Sequence, residues 1–306
     1  MLARLVSFAI QLVVVVFGIL TALFFVLRLS GDPAAMLAGP DASPQTVQTI
    51  RQELGLDQPL PVQYGSFLEH TVHLDFGQSF RYRKPALDMV LQRLPVTLEL
   101  VVASVLLSVV IAAPIGILSA LRRGHADSRL VMIGAAFGQA MPNFWLGIVL
   151  ILIFAVGFRL VPSFGSGDLK HAILPVVTLA AFLVARQSRL VRSEMLDVLS
   201  QDYVRTARTK GLLRRVVLLR HAFRNVLIAV ITVMSVDFSI LLGASVVVET
   251  VFTYNGMAQQ LYDSVTGRDY PVVLATVFVV AVLVVLANLL TDMAYQVIDP
   301  RVREAA

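Results

Sequence analysis

The chain has no cysteine, one tryptophan and three lysines, and only 15% of its 306 residues are charged. Without cysteine there is no disulfide and no thiol chemistry. None of the lysines (Lys84, Lys170, Lys210) follows a glycine, so the Gly-Lys-Ser/Thr of a phosphate-binding loop is absent and the chain has no Walker-type ATP site. His-Glu-x-x-His and Gly-x-Ser-x-Gly are missing as well. Soluble domains carry about 25% charged residues and about 45–50% apolar ones. Here 57% are hydrophobic and the mean hydropathy is +0.80. Too few polar residues remain to cover two soluble domains. An ordinary soluble enzyme, a disordered chain and a disulfide scaffold are excluded, and a multi-span membrane protein is left.

What is there is a set of long uncharged runs: Leu5–Leu27, Leu100–Leu121, Leu130–Phe158, Ala172–Ala185, Asn225–Val248 (broken by Asp237) and Pro271–Thr291. About 20 helical residues cross a hydrocarbon core of about 30 Å. Five runs qualify alone. The fourth spans if it continues through Arg186 and Arg189 toward Val191, with those side chains snorkelling to the headgroups. Six helices are expected. The first run exceeds the length of a signal-peptide core and reads as a retained anchor.

The net charge of +5 fits either a nucleic-acid binder or a membrane protein with basic inner loops. Position decides. Loop 122–129 holds Arg122, Arg123 and Arg129, and loop 186–224 holds ten basic residues, whereas loop 249–270 holds only Arg268. The basic charge is topological, both termini are expected in the cytoplasm, and nucleic acid is not a partner. The long segment 28–94 is then external. Within it Ser43 and Pro44 read as the N-cap and first residue of a helix over Gln45–Leu54 that stops at Gly55. The segment is a small cap of loops and short helices.

Few side chains offer chemistry. Gly165-Ser166-Gly167-Asp168 matches the Gly-x-Gly-Asp pattern of intramembrane aspartyl proteases but lies in an external loop, where a glycine-rich turn accounts for it. His70 and His73 share a helix face without a third metal ligand. Asp237 lies mid-run, where a charge costs about 2.5–3.5 kcal/mol. It either lines a polar path and meets a cationic group, pairs with a polar residue of another helix, or is protonated in lipid. Glu99, Glu249 and Asp292 fall at run ends, where an interfacial position accounts for them. Pro114, Pro142 and Pro175 free backbone carbonyls inside runs. In the inner loop, Ser200 reads as the N-cap of a helix over Gln201–Lys210, with Asp202 in its first turn, Lys210 in its last and Gly211 as its stop. So short a helix cannot stand alone. It rests on anionic lipid or docks into a cytoplasmic partner; composition does not choose.

Asp202-Tyr203-Val204-Arg205-Thr206-Ala207-Arg208-Thr209-Lys210-Gly211 resembles the EAA loop of binding-protein-dependent ABC importers, most closely the permease subunits of the dipeptide/oligopeptide/nickel family. Arg205-Thr206-Ala207 occupies the Glu-Ala-Ala triplet and Gly211 the following glycine. The likeness continues through Gly31-Asp32-Pro33, Asp75-Phe76-Gly77-Gln78-Ser79, Arg93-Leu94-Pro95-Val96-Thr97-Leu98-Glu99, Pro142-Asn143-Phe144-Trp145-Leu146-Gly147, His221-Ala222-Phe223-Arg224-Asn225, Val248-Glu249-Thr250-Val251-Phe252 and Asp299-Pro300-Arg301. The chain departs from the family form at Ala229, where proline is usual, at Tyr254-Asn255-Gly256, and at Asp237, commonly uncharged.

The resemblance implies an all-α integral membrane protein of six transmembrane helices with the type I ABC importer permease fold. Its parts are a first span over 1–29, an external cap over 30–94 and a five-helix core over 95–306 containing a coupling loop over 194–225. It implies a non-enzymatic permease in the bacterial inner membrane that, with a homologous second permease, forms a path for di- and oligopeptides or similar small solutes. A self-sufficient secondary transporter or channel is the alternative. The implied partners are two ABC ATPase subunits, which bind the ATP and Mg, an extracytoplasmic solute-binding protein, and membrane lipid; no cofactor or metal is expected on this chain. ATPase coupling is expected at Asp202, Tyr203, Arg205, Thr206, Ala207, Lys210, Gly211, His221, Arg224 and Asn225. The candidates for lining the path are Asp237, Asn143 and Glu249.

Overall fold

A computed structural model describes residues 2–29, 33–38, 42–211, 213, 216–217 and 223–298. The described elements are helices: α1 (Leu2–Leu29), α2 (Pro33–Ala38), α3 (Pro44–Glu53), α4 (Leu60–Val72), α5 (Ala86–Leu121), α6 (Ala126–Ala140), α7 (Asn143–Leu150, continued by a π-helical turn Ile151–Gly157), α8 (Leu169–Ser200), α9 (Asp202–Thr209), α10 (Phe223–Phe252), α11 (Met257–Thr266) and α12 (Tyr270–Ile298). The extended pairing among these residues is a single bridge between Gln78 and Pro85.

Five helices are long and apolar enough to cross a membrane: Ala9–Leu29, Ala86–Leu121, Leu169–Ser200, Val226–Phe252 and Tyr270–Ala294. The third expected span is not one straight helix. Leu130–Ala140 and Asn143–Gly157 meet at a bend of 102°, and counting that bent pair as one span brings the crossings to six. Pro142 causes the break. It lacks an N–H and forces the residue before it out of the helical region, and Met141 is accordingly extended at φ −78°, ψ 129°. The fourth run does continue: α8 carries on through Arg186, Arg189 and Val191 to Ser200. Asp168 starts it, accepting a hydrogen bond from the His171 N–H at 3.0 Å.

Two compact units are present, Met1–Pro95 with Gln260–Val285, and Val96–Gln259 with Leu286–Ala306. In the first, Phe24, Phe25, Tyr64 and Phe67 stack α1 on α4, and the hydroxyls of Thr21 and Tyr64 lie 2.8 Å apart. Arg28 lies over the Phe24 ring, 5.0 Å from its centroid, and donates to Gln63. The helix α3 has the expected cap, Ser43 accepting from the Thr46 N–H, and Gly55 follows at φ +63°. Buried Asp269 accepts from Ser79 Oγ and from the Phe80 N–H at 2.9 Å, which pins the turn after α4. A cavity of about 440 Å³ lies in this unit, lined in part by Phe24, Arg28, Phe67, Phe76 and Tyr270.

In the second unit α8 is the organising helix. Ala120, Val191, Met195, Val226 and Val230 form a core that joins α5, α8 and α10. Gly116 lets α5 approach closely: a Cβ there would stand 2.6 Å from Val191 Cβ and 2.8 Å from the Ser188 carbonyl. Small residues at such crossings allow helices to pack in lipid, where no hydrophobic force drives them together.

Candidate functional site

Three polar constructions stand out in an otherwise apolar unit. The first is the helix α9. It begins one residue later than expected, because Ser200 ends α8 and its hydroxyl donates to the Asp197 carbonyl at 2.7 Å rather than capping α9. Gln201 supplies the link, its carbonyl accepting from the Val204 N–H at 3.1 Å. The stop is as expected: Gly211 sits at φ +75°, which an L side chain rarely adopts. One face of α9 is closed. Val204, Ala207 and Val217 are buried together, with Val198 and Leu199 of the α8 end packed on them. The other face is open: Asp202, Tyr203, Thr206, Thr209 and Lys210 are exposed. The chain thus anchors the helix with its own apolar contacts and leaves a polar, aromatic-bearing face outward. His221 and the side chains of Arg205, Arg224 and Asn225 lie outside the described residues.

The second is a charge network inside the spans. Asp237 is fully buried, and Arg186 donates to it through Nη1 at 2.6 Å. Gln187 Nε2 donates to the other carboxylate oxygen at 2.8 Å, and Gln187 Oε1 accepts from Ser108 Oγ at 3.1 Å. This corrects the reading of Arg186 as a snorkelling residue: a carboxylate on α10 lies within reach, and pairing there satisfies both charges. Arg189 likewise donates to Gln139 of α6. Of the alternatives open for Asp237, pairing with a neighbouring helix is the one observed.

The third lies at the C-terminal end of α10. Glu249, in the last turn of its span, is fully buried. It accepts from Thr97 Oγ1 at 2.7 Å and from the Gln259 N–H at 2.8 Å. Thr97 Oγ1 in turn accepts from the Met257 N–H at 2.8 Å. The carboxylate therefore serves as acceptor for the first turn of α11, where free N–H groups and the helix dipole favour a negative charge. Gly256 is required beside it, since a Cβ would stand 2.3 Å from Glu249 Oε2. Nearby Tyr254 is buried, and that burial, reinforced by Glu99, Glu249 and Asp168, pushes its phenol up to about 12.

The remaining expectations sort simply. Asn143 is half-buried at the first position of α7. Asp168, of the Gly-x-Gly-Asp match, is the exposed N-cap of α8; its hydrogen bond with His171 holds its carboxyl below the usual range. His70 faces Asp75 at 3.4 Å and His73 bonds the Glu69 carbonyl. Among the described residues no three His, Asp or Glu side chains converge as a metal site would require. Sequence reasoning missed Gln187, Thr97 and Gly256. Gln187 and Thr97 lie just outside the uncharged runs Ala172–Ala185 and Leu100–Leu121, so no polar break in a run marked them, and only backbone proximity reveals the third.

These features, long apolar helices joined by buried polar pins and a short helix braced against the end of a span, define a polytopic membrane protein. The chain belongs to the family of binding-protein-dependent transport system inner membrane components: residues 112–304 match that family, and residues 1–101 match its N-terminal membrane component. It is 42% identical over 279 residues to the glutathione transport system permease protein GsiC of Salmonella paratyphi A, covering 91% of each chain. The GsiC protein of Escherichia coli K12 is 41% identical over the same length. In fold it is similar to the inward-facing MetNI methionine ABC transporter, with a TM-score of 0.60 at 18% identity over 69% of this chain and 96% of that one. An amino acid ABC transporter crystallised with histidines superposes with a TM-score of 0.52 at 16% identity over 68% of this chain and 94% of that one. The chain is a permease subunit of an ABC importer, a multi-pass inner-membrane protein with the type I fold.

Proposed function

We propose that this permease forms, with a homologous second permease, the path for a peptide-sized solute such as glutathione, handed over by an extracytoplasmic binding protein. Two ATPase subunits hold the ATP and Mg; this chain holds no cofactor. The cargo class rests on the relatives that are glutathione transport permeases. The excess of arginine in loops 122–129 and 186–224 supports cytoplasmic termini and an inner position for α9. The division into a first span (1–29), an external cap (30–94) and a permease core (95–306) with its coupling loop (194–225) belongs to the same reading.

One observation carries the mechanism: α9 is fastened by Val204 and Ala207 to the end of α8 and turns Asp202, Tyr203, Thr206 and Lys210 outward. A helix gripped on its outer face by an ATPase and on its inner face by α8 passes a rigid displacement straight into a span. Transport then needs two global states, one favoured by ATP inside and the other by loaded binding protein outside. Arg205, His221, Arg224 and Asn225 join that contact in this reading, and Asn143 borders the path.

The test is uptake into proteoliposomes holding the full assembly. Uptake stops when ATP or the ATPase subunits are withheld. Gly211→Pro leaves span insertion intact but lets ATP hydrolysis run without uptake. Uptake by this chain alone, driven by a proton gradient, would sink the reading in favour of a self-sufficient transporter.

A further inference from the structure

Resting on the permease reading above, we infer that Arg186 is the group in the path that receives the carboxylate of an anionic cargo, held in place by Asp237. A lone aspartate in a span invites the opposite idea, that the path greets a cation. The geometry rules this out for Asp237. It is fully buried, and its two oxygens are taken by Arg186 Nη1 at 2.6 Å and Gln187 Nε2 at 2.8 Å. Gln187 is itself fixed by Ser108. The aspartate is a bracket, and the arginine is what it presents.

Arg186 keeps 32% of its side chain open, and a guanidinium has five donors, of which the bond to Asp237 uses Nη1. Asp237 stands about 21 Å of helix from one end of α10 and about 22 Å from the other, so the pair lies at the middle of that span. Charged groups at this depth face a bundle interior or a water-filled cavity, because lipid cannot solvate them. The open part of Arg186 therefore points to the path. Arg189, three residues on and on the same flank of α8, is exposed and bonded to Gln139, so the flank stays cationic for a further turn. A fork of N–H donors matches a carboxylate in a bidentate way that a lysine would not. Asp237 also keeps the resting site neutral, which lets a carboxylate enter by replacing water and leave again rather than being trapped.

The absence of native cysteine makes the test clean. Arg186→Cys is combined with Asp237→Asn, so that no charge is stranded, and the variant is reconstituted with its partner subunits. The cargo is S-methylglutathione, which has no thiol to reverse the labelling. Aminoethyl methanethiosulfonate then restores a positive charge at the position, while sulfonatoethyl methanethiosulfonate installs a negative one; the wild-type assembly, treated alike, corrects for thiols on the partners. Both reagents are expected to react, and the positive adduct to take up cargo at least about tenfold faster than the negative one, the scale of one charge-assisted hydrogen bond. The inference is overturned if neither hydrophilic reagent reaches the position with or without ATP, or if both adducts transport equally. A wild-type assembly that ignores S-methylglutathione defeats the cargo assignment above, and the reactivity of the position then still decides whether Arg186 faces the path.

Discussion

Glu249→Gln changes one atom and almost no volume, at a carboxylate that accepts from Thr97 Oγ1 and the Gln259 N–H at 2.7 and 2.8 Å. A carboxamide has a single acceptor oxygen. Whichever way it turns, its NH2 group opposes either a hydroxyl, which can rotate, or a backbone N–H, which cannot. The relaxed variant therefore keeps Gln259 and weakens Thr97, and the charge assistance is lost in both bonds. Hydrogen bonds to charged groups contribute about 1.5–3 kcal/mol and neutral ones about 1 kcal/mol, so the loss is about 2–3 kcal/mol. At about 2–4 °C per kcal/mol for a unit of this size, the thermal midpoint of the detergent-purified assembly falls by about 4–12 °C. Thr97→Val removes the donor to Glu249 and the acceptor of the Met257 N–H, with a similar drop. Because the two residues share one network, the double variant should be less destabilised than the sum by at least about 1 kcal/mol. Gly256→Ala, whose Cβ would sit 2.5 Å from Glu249 Cδ, should lower the midpoint at least as far. Additive single effects, or a midpoint unmoved by Gly256→Ala, would refute the account of Glu249 as the fastening of α11.

Three further outcomes are expected. Val204→Asp places a carboxylate in the closed face between α9 and α8; uptake should fall to background while the spans still insert, and wild-type uptake in this variant would deny α9 its braced position. Asp269→Ala frees Ser79 Oγ and the Phe80 N–H, so trypsin should cut after the exposed Arg81 or Arg83 several-fold faster than in wild type. Tyr254, its pKa raised to about 12, stays neutral in the fold while the unfolded phenol ionises near 10; stability is therefore lost as pH climbs from about 10 to about 12, by about 1.4 kcal/mol per unit. Tyr254→Phe should narrow the difference in thermal midpoint between pH 8 and pH 11, and an unchanged difference would count against the burial of that phenol.

Much of the fold was legible in the chain. Uncharged runs of span length can only be helices in lipid, because every backbone group must be bonded within the segment. Ser43 before Pro44, and Gly211 after Lys210, are local signals whose partners lie within four residues, so the α3 cap and the α9 stop were readable in advance. The break at Met141 and Pro142 was half-readable. Proline marked the place, but the 102° turn depends on what the two pieces pack against. The start of α9 was misplaced by one residue for a different reason. Ser200 has the chemistry of a cap, yet it is already the end of α8 and its hydroxyl is spent backward on Asp197.

What lay beyond the sequence is every decision that joins residues far apart along it. That the chain crosses the membrane repeatedly, concentrates its arginines in two loops and carries no Gly-Lys-Ser/Thr phosphate loop follows from composition and spacing, since burial in lipid and phosphate binding each need particular residues in particular runs. Whether Asp237 is a path-facing charge or a bracket for Arg186, and whether Glu249 is free at the end of its span or fastens α11, depends on partners 51 and 10 residues away. A carboxylate's role is set by whichever donor the packed helices bring to within hydrogen-bonding distance, and only the tertiary structure decides that.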